Sequence, residues 1–194
     1  MTRAGSGTDL SLRALLKDAG LEPDKDVAII AIGGVSSATA ALKAGQVDGF
    51  MGGEPATGIA VQQLKLARYF VDPRLGQGPK FLQFMTFPTL QASDKWLSAN
   101  PQVSERLVRA LVKTLKRLRE DPEAAVGVGQ KLFPTLDVSL IRSIVAIEKN
   151  TYSPAITEEA MRLCNQFQKQ VGSVKTDLPY DKVVATQFKH LWDQ

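Results

Sequence analysis

Apolar residues follow two different spacings in the first part of the chain. Some recur at the interval of an amphipathic helix, and others form short, largely apolar runs that are typical of strands buried on both faces. The helical spacing covers residues 8–19, 38–44 and 56–67, and the short runs cover residues 27–32, 47–51 and 81–87. Because helices and strands alternate in this order, the pattern predicts a parallel sheet with crossover helices.

The second part of the chain, from Asn100 onward, has helical spacing throughout. Asn100 followed by Pro101 predicts a helix start, with Asn100 as the N-cap and Pro101 as the first helical residue. An apolar stripe extends this helix to about Glu120, and its other face is basic, which is typical of a solvated helix surface. Further helices are predicted around residues 123–132, 138–149, 157–170 and 180–192.

Loops of small residues precede the helices of the first part. They lie at residues 4–8, 33–37 and 52–55. In open α/β sheets such loops follow the carboxyl ends of strands, which is where ligands bind. We therefore expect the three loops to converge on one crevice.

The first loop runs directly into the predicted helix of residues 8–19. At such a start the backbone N–H groups lack helical partners and carry the positive end of the helix dipole. Glycine lets the backbone approach a ligand closely, and serine or threonine hydroxyls add hydrogen-bond donors. We predict that Ser6, Gly7 and Thr8 contact an anionic or polar ligand group; an ordinary N-cap with a tight turn is the alternative.

The second and third loops carry further candidates for ligand contact. Ser36 and Ser37 repeat the arrangement of small hydroxyl residues before a helix, although serine also caps helices where no ligand binds. Glu54 either pairs with a cationic group of the ligand or caps the helix that follows Pro55. Neither loop suggests a catalytic assembly or a metal site.

Composition excludes several classes of protein. The net charge of +4 is modest and aromatic residues make up 7% of the chain, which does not favour a nucleic-acid surface. A single cysteine, Cys164, excludes an internal disulfide and a multi-cysteine metal site, and its helical surroundings favour a structural thiol. The sequence contains neither an apolar run long enough to span a membrane nor a signal-peptide pattern.

Three motifs carry a resemblance to a known family. They are the Gly5–Asp9 loop, the element ALKAGQVDG at residues 41–49 and the Glu54–Pro55 turn. The helix that starts at Asn100–Pro101, followed by DPEAA from Asp121, also matches. In this order and spacing the chain resembles the periplasmic solute-binding proteins of ABC importers for nitrate, sulfonates, taurine and thiamine precursors. Gly49 stands where that family usually has alanine, which is a minor departure.

The resemblance implies an α/β fold of the type II periplasmic-binding-protein class, whose two lobes close on a small molecule. Residues 1–88 would form the second lobe, lacking most of its first strand. Residues 89–194 would supply a return strand and the C-terminal helices of the first lobe. The initial elements of that first lobe and the export signal are not in this sequence. We therefore expect a chain truncated at its N-terminus, with exposed apolar stripes on its helices and a tendency to self-associate.

The function that the resemblance implies is delivery of a small anionic or zwitterionic solute to a membrane permease in the periplasm. It needs neither a cofactor nor catalysis. An enzyme of the thiamine-pyrimidine-synthase type is a poor match, because it uses several histidines and a cysteine-rich motif and this chain has one histidine and one cysteine. A menaquinone-pathway enzyme on the same fold stays open. An effector-binding regulatory domain normally follows a helix-turn-helix, a pattern that this sequence lacks.

Overall fold

The computed structural model describes residues 1–83 and 88–193. Its helices in chain order are α1 (Gly7–Asp18), α2 (Val35–Lys43), α3 (Ala56–Gly58), α4 (Lys80–Gln83), α5 (Asp94–Ala99), α6 (Pro101–Glu120), α7 (Pro122–Leu132), α8 (Val138–Glu148), α9 (Glu158–Gln170) and α10 (Tyr180–Val183). A π-helical turn, Ile59–Gln63, continues α3, and 3-10 turns cover Pro73–Leu75 and Thr186–Leu191. None of the described helices is long and apolar enough to cross a membrane.

The chain divides into two compact units. The first comprises Met1–Gln83 and Thr135–Ile144, and the second comprises Phe84–Pro134 and Val145–Gln194. The boundary between Thr135–Ile144 of the first unit and Val145–Gln194 of the second falls inside α8. The assignment of residues 1–88 and 89–194 to the two lobes of a binding protein stays a prediction.

The helix predictions are largely confirmed. α1, α2, α6, α7, α8 and α9 occupy the predicted regions. The helix expected over residues 56–67 ends earlier, at Gln63, and the one expected over residues 180–192 is broken into α10 and a 3-10 turn. Asn100 precedes α6 as expected, but its side-chain amide donates to the Trp96 carbonyl at 3.0 Å and makes no cap bond to α6.

The predicted α/β fold with a parallel sheet is wrong. Residues 1–83 and 88–193 are mainly helical and form no sheet, and one isolated parallel bridge joins Pro23 to Val27. The backbone is irregular at most of residues 27–32 and at residues 47–51, where strands were expected. Of the third expected strand, residues 81–83 belong to α4, and residues 84–87 lie outside the described residues.

The physical reason is that a strand exists only through bonds to its neighbours. A buried parallel strand needs a partner on each side and cover on both faces. Backbone pairing of the apolar run at residues 27–32 is limited to its ends in the described chain: Val27 takes part in the isolated bridge, and the Ile32 N–H donates to the Met1 carbonyl at 3.0 Å. The Gly33 N–H, just after the run, donates to the Thr2 carbonyl at 3.1 Å. Ile30, in the middle of the run, is 48% exposed. The apolar pattern is present, but the partners that would make it a sheet are not among the described residues.

Small side chains let the helices of the first unit approach one another. α2 packs against α3, and the buried residues of α1, α2 and α3 include Ala14, Ala38, Ala41 and Ala56. Gly58 is the closest contact, because a methyl group there would lie 2.8 Å from Glu54 Oε2 and 3.1 Å from Leu140 Cδ1 of α8. A larger residue at this position would push α8 or the Glu54 side chain away.

The second unit is built around α6 and α9. α6 contacts α5, α7 and the 3-10 turn Thr186–Leu191, and Leu191 is almost fully enclosed. The expected exposure of an apolar stripe is confirmed on α6, at Val103, Leu107 and Leu111. The residues that α9 buries are Ala160, Met161, Leu163, Asn165 and Phe167.

One buried amide fastens the loop after α9 to that helix. Asn165 donates from Nδ2 to the Leu178 carbonyl at 2.9 Å and accepts the Leu178 N–H at Oδ1 at 3.0 Å. The Tyr180 hydroxyl donates to the Ile156 carbonyl at 2.6 Å, so the segment on the other side of α9 is held as well. A single side chain therefore satisfies both backbone groups of Leu178.

Replacing this amide is expected to destabilise the second unit. Asn165→Ala leaves the N–H and the carbonyl of Leu178 without their partner, and we expect it to lower the free energy of unfolding by about 1–3 kcal/mol. Urea denaturation measures the change. Gln166→Ala, at the exposed neighbouring position of α9, is the matched control and should have little effect. Equal losses in the two variants would contradict this account of Asn165.

Candidate functional site

α1 begins with a reciprocal side-chain cap. Ser6 occupies the N-cap position, and its Oγ accepts the Asp9 N–H at 3.3 Å. Asp9 in turn accepts the Gly5 N–H at Oδ2, at 2.8 Å. The arrangement is similar to a capping box, but the acidic side chain accepts the N–H of Gly5, the residue before the N-cap, and the Ser6 N–H donates to the Arg3 carbonyl. Ser6 thus has the structural role that the sequence left open as the alternative, while its contact with a ligand stays a prediction.

Three hydroxyls meet in front of α1. Thr2 Oγ1 lies 2.8 Å from Thr8 Oγ1 and 3.0 Å from Ser6 Oγ, and the Ser6 and Thr8 oxygens are 3.0 Å apart. The Ser6 hydroxyl donates its proton to the Arg3 carbonyl at 2.7 Å, and Thr2 donates to Ser6. Because each hydroxyl has one proton to donate, the contact between Thr2 and Thr8 uses the Thr8 proton, and a ligand would have to draw that proton away from Thr2 Oγ1.

The first turn of α1 also offers backbone donors. The N–H groups of Gly7 and Thr8 have no hydrogen-bond acceptor in the part of the chain that the structure describes. Gly7 is exposed and Thr8 is half-buried. Two backbone donors and one hydroxyl therefore lie at the positive end of the α1 dipole, as the sequence predicted for an anion site.

The carboxylate of Asp9 is paired inside the protein. Asp9 is 3% exposed, and its Oδ1 accepts a hydrogen bond from Arg13 Nε at 2.8 Å. Arg13 also pairs with Asp24, and the hydrogen bond from Arg13 lowers the pKa of the Asp24 carboxyl below its usual value. Because the single Arg13 guanidinium is shared between Asp9 and Asp24, it offsets only part of the Asp9 charge at the start of α1.

Two backbone hydrogen bonds bring the second loop beside the first. The Ile32 N–H donates to the Met1 carbonyl and the Gly33 N–H donates to the Thr2 carbonyl. Thr2 is a member of the hydroxyl cluster, so the chain that leads into α2 lies directly against that cluster. The structure thus brings together the starts of α1 and α2, as the sequence predicted for these two loops.

The first turn of α2 has no side-chain cap. Gly34 is the N-cap residue and makes no side-chain cap. Ser36 and Ser37 lie in the first turn of α2 rather than in a loop before it, and both are exposed. Gly33 has a φ of +74°, and a Cβ there would lie 3.3 Å from Ser37 Oγ, so this close turn favours glycine. The contact of Ser36 and Ser37 with a ligand stays a prediction.

Glu54 is held by three partners. Its Oε2 accepts the Gly58 N–H at 2.8 Å, which is the helix-cap arrangement that the sequence offered as one of two interpretations. Its Oε1 accepts the Tyr69 hydroxyl at 3.2 Å and Arg74 Nη1 at 2.8 Å. The Glu54 side chain is 11% exposed. Its contact with a ligand stays a prediction.

Arg74 joins the third loop to the turn that follows it. It forms a two-pronged pair with Asp72, from Nε to Oδ1 and from Nη2 to Oδ2, both at 2.8 Å. Its guanidinium also lies over the Tyr69 ring, 5.6 Å from the ring centre. The hydrogen bond from Arg74 lowers the pKa of the Asp72 carboxyl below its usual value. We call Glu54, Tyr69, Asp72 and Arg74 the Arg74 cluster.

Sequence reasoning missed several residues of this region. Asp9 carries a local signal, because Ser-x-x-Asp before an apolar run is a capping-box pattern. Thr2 and Arg74 carry none, since their roles depend on residues that only folding brings close. Elsewhere, burial raises the pKa of the half-buried Cys164 thiol, which keeps it protonated. Within the described ranges, no group of three or more His, Cys, Asp or Glu side chains is placed to hold a metal ion.

The Asp72–Arg74 pair predicts a loss of stability in acid. Its folded-state pKa lies below the unfolded value of about 3.9, so ionised Asp72 stabilises the fold fully above that value and less as the pH falls through the folded pKa. The free energy of unfolding of the wild type should therefore fall more steeply between about pH 4 and pH 2 than that of Asp72→Asn. Urea titrations at several pH values measure both slopes, and parallel curves would count against the prediction.

Comparison with known proteins identifies the family. A model of the NMT1-like family matches residues 1–130, a range that includes the starts of α1 and α2 and the whole Arg74 cluster. No curated protein and no solved structure matches the chain. The resemblance seen in the sequence motifs is confirmed by this match. The chain belongs to the NMT1-like family, the family of nitrate-, sulfonate- and taurine-binding solute-binding proteins of ABC importers.

Proposed function

We propose that this chain is the solute-binding component of an ABC importer and binds a small anionic or zwitterionic solute, of the class of nitrate, sulfonates, taurine and thiamine precursors. It works in the periplasm, passes the solute to a membrane permease and catalyses no reaction. Membership of the NMT1-like family supports solute binding, and proteins of this family are typically extracytoplasmic. The solute class, the permease and the location go beyond the family and are part of the proposal.

One observation carries the choice of an anionic group. The Gly7 and Thr8 N–H groups and the Thr8 hydroxyl lie at the start of α1, and the Gly33–Thr2 hydrogen bond holds the uncapped start of α2 beside them. Helix starts attract anions through their unpaired N–H groups and their dipole. Oxygen atoms of a nitrate or sulfonate group are acceptors that suit these donors.

Ser6 and Thr8 have different tasks in this proposal. Ser6 caps α1 and orders the hydroxyl cluster, so it positions the donors. Thr8 contacts the solute through its N–H and its hydroxyl. Ser36 and Ser37 add hydroxyls from the first turn of α2. These are recognition roles, since none of the four side chains is paired with a general base.

Loss of these hydroxyls is expected to weaken binding. Thr8→Ala removes a direct bond to a charged group, and we expect affinity to fall by about tenfold. Ser6→Ala removes the cap and the order of the cluster, and a similar or smaller loss is expected. Isothermal titration of the protein with nitrate, taurine and ethanesulfonate measures both effects.

Thr157→Ala is the matched control for these variants. Thr157 caps α9 in the second unit through its bond to the Ala160 N–H at 3.0 Å, so its loss costs stability without touching α1. We expect it to leave solute affinity unchanged. Unchanged affinity in both Ser6→Ala and Thr8→Ala would refute the placement of the anion at the start of α1.

A further inference from the structure

Residues 27–32 form an apolar run whose middle has no backbone partner. The run reads Val-Ala-Ile-Ile-Ala-Ile, and we call it the VAIIAI segment. Within the described ranges, no backbone N–H or carbonyl group of residues 28–31 makes a hydrogen bond. None of the six residues is buried, and Ile30 is 48% exposed. The segment therefore exposes apolar side chains and unpaired peptide groups together.

The composition of the VAIIAI segment suits pairing with an identical segment. None of its residues has a positive φ, and its valine and isoleucines favour the strand conformation. It contains neither a proline nor a charge, and the chain stays uncharged through Gly34. Short, uncharged segments of high β-propensity that leave their backbone groups open are the ones that pair with further copies of themselves.

The charges that flank the segment favour one direction of pairing. Asp24, Lys25 and Asp26 precede the segment, and two glycines follow it. A parallel pair in register would place each of these charged residues opposite its own copy, which is destabilising. An antiparallel pair separates the two sets of charges and places each beside the uncharged glycines of the other copy.

The exposed apolar stripe of α6 is less suited to contact between two copies. Val103, Leu107 and Leu111 lie on one face of that helix, and Arg106 and Lys113 flank this face at helical spacing. An antiparallel, two-fold contact between two such faces would bring these cations together, which is unfavourable. The VAIIAI segment carries no such repulsion.

We infer that the VAIIAI segment is a self-association site, at which two copies of this chain pair antiparallel through their backbones. One two-fold contact satisfies the same peptide groups in both copies and covers Ile30 in each. Because only six residues of each copy take part, the contact is smaller than a standard interface, and the dimer is weak and depends on concentration. The inference does not depend on the proposed function, since it involves no residue to which that function assigns a solute contact.

Sedimentation velocity over a range of protein concentrations measures the self-association. We expect a dimer that dissociates on dilution. Ile30→Lys should raise its dissociation constant by about tenfold or more, because a charge replaces an apolar side chain in each copy at the contact. Leu107→Lys, on the exposed stripe of α6, is the matched control and should leave the dimer unchanged. A monomer at every concentration, or a dimer that Ile30→Lys leaves intact, would overturn the inference.

Disulfide cross-linking tests the direction of pairing without introducing a charge. In a Cys164→Ser background, Ile30→Cys should form a linked dimer with oxidised glutathione, because antiparallel pairing centred on the segment brings the two copies of position 30 within disulfide reach, at about 4.4–6.8 Å between Cα atoms. Lys25→Cys is the control. The two copies of position 25 would lie about 30 Å apart, so no link is expected. Equal cross-linking of the two variants would indicate parallel pairing or random collision and would contradict the inference.

Discussion

Two backbone hydrogen bonds hold the candidate site together. The Ile32 and Gly33 N–H groups donate to the Met1 and Thr2 carbonyls, and this places the start of α2 beside the start of α1. The two segments are far apart in sequence, so neither helix alone makes more than an ordinary N-terminus. The two hydrogen bonds bring the residues before α2 next to Met1 and Thr2, which precede α1. The hydroxyls of Thr2, Ser6 and Thr8 then lie against the chain that leads into α2.

In the first unit the buried carboxylates have hydrogen-bond partners, whereas some backbone N–H groups at helix starts have none in the described part of the chain. The carboxylates of Asp9 and Glu54 are buried and paired with Arg13 and Arg74. The backbone donors at the two helix starts remain open. A buried carboxylate must be paired because an uncompensated charge is expensive away from water, whereas an N–H group at a helix start can be left to water or a ligand. The N–H groups of Gly7 and Thr8 at the start of α1 are therefore the open polar groups that the proposed function uses.

Helices and irregular segments differ in where their backbone N–H and carbonyl groups find hydrogen-bond partners. An α-helix pairs its N–H and carbonyl groups within itself, so α6 forms even though Val103, Leu107 and Leu111 on one face are exposed. Extended segments depend on other segments. Apolar residues that carry strand-like patterns stay open to water, such as Ile30 at 48% exposure, and Phe70, outside any helix, is 90% exposed. Exposed apolar area of this kind favours association.

The sequence by itself determined the helices and the donor-rich loop before α1. Their limits depend on local features, such as the prolines at the starts of α6 and α7 and the Ser6 N-cap of α1, and local features can be read from neighbouring residues. Tertiary structure decided that residues 27–32 do not join a sheet, and it decided which residues pair with Glu54. A strand requires neighbours that the apolar pattern of residues 27–32 cannot supply, and Arg74 reaches Glu54 from twenty positions away. Periodicity reports which face of a segment is apolar, whereas pairing between distant residues is settled only when the chain has folded.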